Sequence, residues 1–227
     1  MTNGGTTGSR DFHPLASYLS EFRKGLRRFS KNRGATIGGI VLLAYAFVAV
    51  FAPLLSPHDP NLIVAVNKLK APSGEHLFGT DGLGRDVLSR LIFGARLSLR
   101  ISLTVIFTST VIGTALGLLA GYYKRVDNIL MRVLDGFMAF PSIILNIGIM
   151  AAMGPSVRNV ILALTISYSP RMARIVRSAV LVQKEQQYVE AAKVLGAGDL
   201  RILAHILPNC LAPIIVQATM IFAYAIL

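Results

Sequence analysis

Residues 37–55 read IGGIVLLAYAFVAVFAPLL, a run without a single charged side chain. At ~1.5 Å of rise per residue, its roughly 19 residues cover the ~30 Å hydrocarbon core of a bilayer. The run predicts a first transmembrane helix, with Pro53 near its exit, where a proline is tolerated. Composition points the same way. The 227 residues are 53% hydrophobic and 15% charged, with a mean hydropathy of +0.59. Soluble domains carry about 25% charged residues, so this chain has too few to cover a surface facing water. Lipid is the solvent that suits it.

The net charge of +12 is unevenly placed. Arg10, Arg23, Lys24, Arg27, Arg28, Lys31 and Arg33 all precede the apolar run. Basic residues flanking a span mark its cytoplasmic side, so residues 1–36 are expected to form a cytoplasmic basic tail. A nucleic-acid partner is not expected, because no soluble module with a basic face is present. The tail is too long and polar for a cleavable signal peptide. A single cysteine, Cys210, excludes an intrachain disulfide framework and a multi-cysteine metal site. His13, His58, His76 and His205 show no ligand spacing, so no metal site is expected, and Cys210 and His205 read as structural.

Beyond the first span, residues 56–96 are rich in turn formers and read as an external loop too short for its own core. Val87, Leu88, Leu91 and Ile92 recur on one helical face, with Asp86 four residues before Arg90. This predicts an amphipathic helix on the outer interface. A second span is expected over 97–122, where Gly113, Gly117 and Gly121 form a ladder for close helix approach. Tyr122 and Tyr123 are placed as interface anchors. A third span is expected over 133–153, with Pro141 near its inner end. It carries Asp135, which either pairs with Arg132 or reaches the headgroups, and Ser142 and Asn146 at i, i+4. These three are candidate pathway residues, although polar residues in spans serve equally as interhelical glue. A fourth span is expected from near Val157, a helix that leaves the membrane with Arg171, Arg174 and Arg177 in the inner headgroup region. A last apolar run, 211–227, stops without a polar flank, and on that ground the chain is expected to be C-terminally truncated. The fold class is therefore all-α, a polytopic helix bundle with about five spans.

Between the last two spans, residues 183–208 are expected in the cytoplasm. Tyr188, Ala191, Ala192 and Leu195 fall at i, i+3, i+4, i+7, giving a short helix with a small apolar face. Gly196 or Gly198 can end it in a left-handed turn, Asp199 can cap a second helix, and Pro208 is expected to break the chain. Small alanines let such a helix seat in a partner's groove, with Glu190 and Lys193 pairing at its rim. The same pattern also suits an interfacial helix that only links two spans.

Glu190-Ala191-Ala192, Gly196 and Ile206-Leu207-Pro208 resemble the EAA loop of permeases of ATP-binding-cassette importers. FAPLLSPHDPN, GTDGLGRDVLSRLIFGARLSL, LDGFMAFPSIIL and YVEAAKVLGAGDLRILAHILPN together resemble the C-type permease of the dipeptide/oligopeptide/nickel family, over nearly all of residues 20–227. The resemblance implies a type I importer permease fold of six spans, with 97–227 as the permease core. Its coupling segment would comprise Tyr188, Glu190, Ala191, Ala192, Leu195, Gly196, Ala197, Ile206, Leu207 and Pro208. It further implies a second permease subunit as heterodimer partner, two ATPase subunits and an extracytoplasmic binding protein, in a bacterial inner membrane. ATP and Mg would be bound on the partner subunits and no cofactor by this chain.

The sequence holds no GxxxxGK[ST] phosphate loop, and Ser109, Ser142, Ser167 and Ser169 have no histidine within a span to activate them. A transport subunit is thus expected rather than an enzyme, importing peptides, with nickel as the alternative cargo. A passive channel would leave the EAA segment without a use. Asp81, Arg85, Asp86 and Arg90 are candidates for an external gate or docking surface; the same stretch also suits a plain interfacial anchor.

Overall fold

The computed structural model describes residues 31–226, which form nine α-helices and no strand. Most of the basic tail, residues 1–30, lies outside the described residues. Helix α1, Arg33–Val50, is capped by Asn32, whose Oδ1 accepts from the Gly34 and Ala35 amides. It exposes Ile37, Ile40, Leu43 and Phe47 along its length, as a lipid-facing helix must. Tyr45 ties it to the bundle by donating to the carbonyl of Ala95 at 3.1 Å. The helix breaks at Phe51, and a single turn, α2 (Ala52–Leu55), follows with Pro53 inside it.

Helix α3 runs unbroken from Val87 to Tyr122. The expected interfacial helix is therefore the first turns of this 36-residue rod. Nothing in 94–97 interrupts the hydrogen-bond ladder, since a single glycine is tolerated in a helix. At ~1.5 Å per residue the rod is ~54 Å long, well beyond a ~30 Å hydrocarbon core.

Its partner is a 28-residue helix, labelled α6, Val157–Lys184, capped by Ser156 and continuing through Pro170. The glycine ladder of α3 lies directly on it. A Cβ at Gly113 would sit 2.5 Å from Met172 Cβ, one at Gly117 2.6 Å from the Ala173 carbonyl, and one at Gly121 2.6 Å from Val180 Cβ. Met172, Val176 and Val180 are fully buried there, with Val105 from α3.

Between the two long helices in sequence, α4 (Lys124–Met138) and α5 (Ser142–Met153) meet at an angle of 87°. The expected straight third span is thus a bent pair. Pro141 lacks an amide hydrogen and drives the residue before it out of the helical region. After α6 come α7 (Gln187–Val194), α8 (Asp199–Asn209) and α9 (Leu211–Ile226), the last two bent by 63°. Pro208 does not break the chain as expected; it lies inside α8, and the turn falls at Cys210. Helices α1 and α3 are each long and apolar enough to cross a membrane. Up to four segments are if each bent pair is one span.

Candidate functional site

The two ends of α3 carry different structures. At its C-terminal end, α7 and α8 form a helix–turn–helix knob. Gly196 closes α7 at φ +76°, a conformation that favours glycine. Its amide donates to the Lys193 carbonyl, and the Ala197 amide to that of Ala192, both at 2.9 Å. These are the two bonds of a Schellman cap. Gly198, not Asp199, occupies the N-cap of α8. The Asp199 carboxylate is used elsewhere, accepting from the Tyr122 hydroxyl at 2.8 Å and the Tyr123 hydroxyl at 3.0 Å. This bond holds the Tyr123 phenol above its usual pKa range. Lys184, the last residue of α6, donates to the Tyr122 carbonyl at 3.0 Å, so α6 and the knob are both fastened to the end of α3.

Packing divides the coupling residues. Ile206 is buried in the core with Val189, Ile202 and Cys210, and Ala192 is half-buried against them. Leu207 and Ala197 also pack on this base. Tyr188, Glu190, Ala191, Leu195, Gly196 and Pro208 are exposed. Tyr188 donates to Gln183 Oε1 and accepts from Asn209 Nδ2. Glu190 and Lys193 form no ion pair in the structure. The apolar tip is instead Val194, Leu195 and Leu200, exposed by 87%, 85% and 83%. Val189 was the residue missed by the sequence reading. It stands three residues before the half-buried Ala192, on the side of α7 that packs on the core.

At the other end of α3, residues 56–86 fold back on the helix N-terminus. Gly84 takes φ +77°, and a Cβ there would fall 1.9 Å from the Val64 carbonyl. Asp81 is the hub. Its carboxylate accepts from the Leu83 and Arg85 amides at 2.8 and 3.0 Å, from Arg85 Nε at 2.8 Å and from Arg90 Nη1. Arg90 pairs with Asp81 and not with Asp86, the partner its i, i+4 spacing suggested. Asp86 instead caps α3, its Oδ2 accepting from the Ser89 amide and hydroxyl at 2.8 and 2.7 Å. Its Oδ1 lies 3.0 Å from His76 Nδ1 and 3.9 Å from His58 Nδ1. The expectation that the histidines are scattered fails here, since the loop brings two of the four together against a buried acid.

Withdrawal from water would raise the Asp81 pKa, but the Arg85 and Leu83 amides and both guanidinium groups outweigh it and hold the carboxyl far below its ordinary 3.8. A depressed pKa means that the folded loop favours the charged form, so its contribution is full above the unfolded value and is lost as pH falls below it. Hydrogen exchange of the Leu83 and Arg85 amides, corrected for intrinsic rates, should therefore lose protection as pH falls from about 5 to 3. Asp81→Asn should remove that pH dependence; protection unchanged in the native chain would contradict the hub.

A polar seam joins the bent pair to α6. Asp127 accepts two bonds from Arg177, Asp135 pairs with Arg174 rather than Arg132, and Asn146 Oδ1 accepts from Ser167 at 2.6 Å. Ser142 lines a cavity of about 30 Å³ with Ser167 and Arg171. Asp135, Ser142 and Asn146 thus share one side of α4 and α5, the side turned to α6.

Long apolar helices, a polar seam and two structured ends separated by a rod longer than a bilayer core define a multi-pass membrane protein. Residues 113–227 match the family model described as binding-protein-dependent transport system inner membrane component. Residues 20–72 match that of the N-terminal transmembrane domain of oligopeptide transport permease C. A peptide transport system permease of Brucella abortus is 50% identical over 202 residues, covering 88% of this chain and 68% of that one. A dipeptide transport system permease of Alkalihalophilus pseudofirmus is 44% identical over 211 residues, 92% of this chain and 69% of the relative. A di/tripeptide permease of Pseudomonas aeruginosa is 41% identical over 222 residues, 94% and 73%. The chain belongs to the family of binding-protein-dependent transport system inner membrane components, the permeases of ATP-binding-cassette importers. Permeases of this family work with ATPase and substrate-binding components.

Proposed function

We propose that this chain is one permease half of an importer that moves di- and oligopeptides into the cytoplasm, driven by ATP bound with Mg on partner subunits. The observation that carries the reading is the knob. Three large apolar side chains, Val194, Leu195 and Leu200, are left uncovered around a turn fixed by a Schellman cap. Such a patch marks a protein contact, and a rigid one can pass a partner's movement to the bundle. Placing the knob in the cytoplasm puts the 56–86 loop outside, because ~54 Å of α3 separates them. The basic residues before α1 fall on the cytoplasmic side in the same arrangement.

In this arrangement the knob docks on an ATPase, and two ATPases serve a heterodimer of this chain with a second permease. Asp81, Arg85, Asp86 and Arg90 lie where an external binding protein would deliver its cargo. Asp135, Ser142 and Asn146 would face the path when α4 and α5 part from α6. The chain itself is non-catalytic. Peptide cargo is favoured by the names of its relatives. Uptake of labelled di- and oligopeptides and of nickel, by cells carrying the full importer with and without this subunit, tests the reading. Peptide uptake should fall on deletion; a fall in nickel uptake alone would overturn the cargo.

A further inference from the structure

We propose that His58, His76 and Asp86 bind one divalent transition-metal ion of the zinc class, which staples the 56–86 loop to the N-terminus of α3. Among the described residues, their ligand atoms form a group within 4.8 Å of one another. His76 Nδ1 and His58 Nδ1 stand 3.0 and 3.9 Å from Asp86 Oδ1. Tetrahedral bonds of about 2.0–2.1 Å set ligand atoms roughly 3.3 Å apart, so the His76–Asp86 pair already has the right spacing and the widest separation in the group has to close by about 1.5 Å, a side-chain rotation of His58. Two imidazoles and a carboxylate are a donor set that suits zinc and its neighbours.

The independent sign is His58. Its Nδ1 is shut off from solvent and has no hydrogen-bond partner, although buried polar atoms are normally satisfied. The His58 backbone is held by its amide, which donates to Ser89 Oγ at 3.1 Å, and its ring lies tilted against that of His76 with centroids 4.8 Å apart. Ser89 also occupies Asp86 Oδ2 and leaves Oδ1 to the histidines. A cavity of about 210 Å³ adjoins the three side chains, bounded also by Asn67 and Glu75. It has room for a water as fourth ligand.

Binding exchanges one tautomer for the other. In the metal-free loop, His76 Nδ1–H donates to Asp86, and its Nε2 faces Asn67 Nδ2 at 3.4 Å. The ion takes Nδ1, the ring's single hydrogen passes through solvent from Nδ1 to Nε2, and no net proton is released. The Asn67 amide, turned over, then offers its oxygen to that hydrogen, the outer-shell support that a metal-bound imidazole needs.

The test uses the assembled importer in detergent, stripped with EDTA and dialysed against zinc chloride. His58→Ala is the informative variant, because Nδ1 makes no hydrogen bond to lose; His76→Ala would also strip Asp86 of its partner. Native importer should hold one more zinc per copy of this chain than His58→Ala, by elemental analysis. Cobalt in its place should give a visible d–d absorption that the variant lacks. At zinc ten times its Kd, proteolysis of the loop should slow about tenfold in the native chain only. Equal zinc in both proteins, or zinc without any protection of the loop, would overturn the site.

Discussion

Gly117→Leu is expected to abolish recovery of the folded importer from membranes. The Cβ it introduces would lie 2.6 Å from the Ala173 carbonyl oxygen and 2.6 Å from Val176 Cβ. Neither is the tip of a flexible side chain, so the clash can be relieved only by driving α3 and α6 apart. Overpacking costs about 1–3 kcal/mol where neighbours can shift. Separating the two helices that hold the core, Val105 and Met172 among its buried members, costs more. Gly117→Ala should already lower the SDS midpoint of unfolding in mixed micelles, and Gly113→Ala should behave alike. Gly136→Ala and Gly148→Ala meet nothing within 4 Å and should leave recovery and midpoint unchanged. If Gly117→Leu is recovered monodisperse and transports normally, the α3–α6 contact is not what holds this bundle together.

The ladder also shows what a linear sequence can disclose. Its spacing announced a close approach, because glycines four apart leave one side of a helix bare. The partner was hidden, since Met172, Val176 and Val180 look like any apolar residues in a helix that also carries Arg171, Arg174 and Arg177. The seam has the same character. Asp135 was visible as an intramembrane acid, but its partner Arg174 lies 39 residues away and became its neighbour only through the bend at Pro141. Helix identity was legible from local apolar runs, and Gly196 from its place after the Tyr188–Leu195 pattern. The loop was the least legible part. His58, His76 and Asp86 have no periodicity to relate them, and their meeting depends on positive-φ turns at Gly79 and Gly84. Arg90 illustrates the competing force. The i, i+4 rule favoured Asp86, but Asp86 was already claimed as the cap of α3, leaving Asp81 as the free carboxylate.

Leu195→Asp is expected to sever the importer from its ATPases while leaving the permease folded. Leu195 is 85% exposed, so the substitution removes no internal packing. At the centre of an apolar contact it would bury an unpaired charge. A hot-spot residue contributes about 2 kcal/mol or more, which weakens ATPase association about 30-fold, and uptake should fall with it. Gly196→Val should have a comparable effect by another route, since valine does not tolerate φ +76° and the Schellman turn that presents the tip would open. Asp199→Ala separates docking from transmission. It leaves Val194, Leu195 and Leu200 in place but removes the carboxylate that Tyr122 and Tyr123 hold. ATPase should co-purify with this variant at the native ratio, hydrolysis should continue, and uptake should drop. ATPase lost from Asp199→Ala, or retained by Leu195→Asp, would mean that the tip and its anchor do not divide the work between contact and transmission.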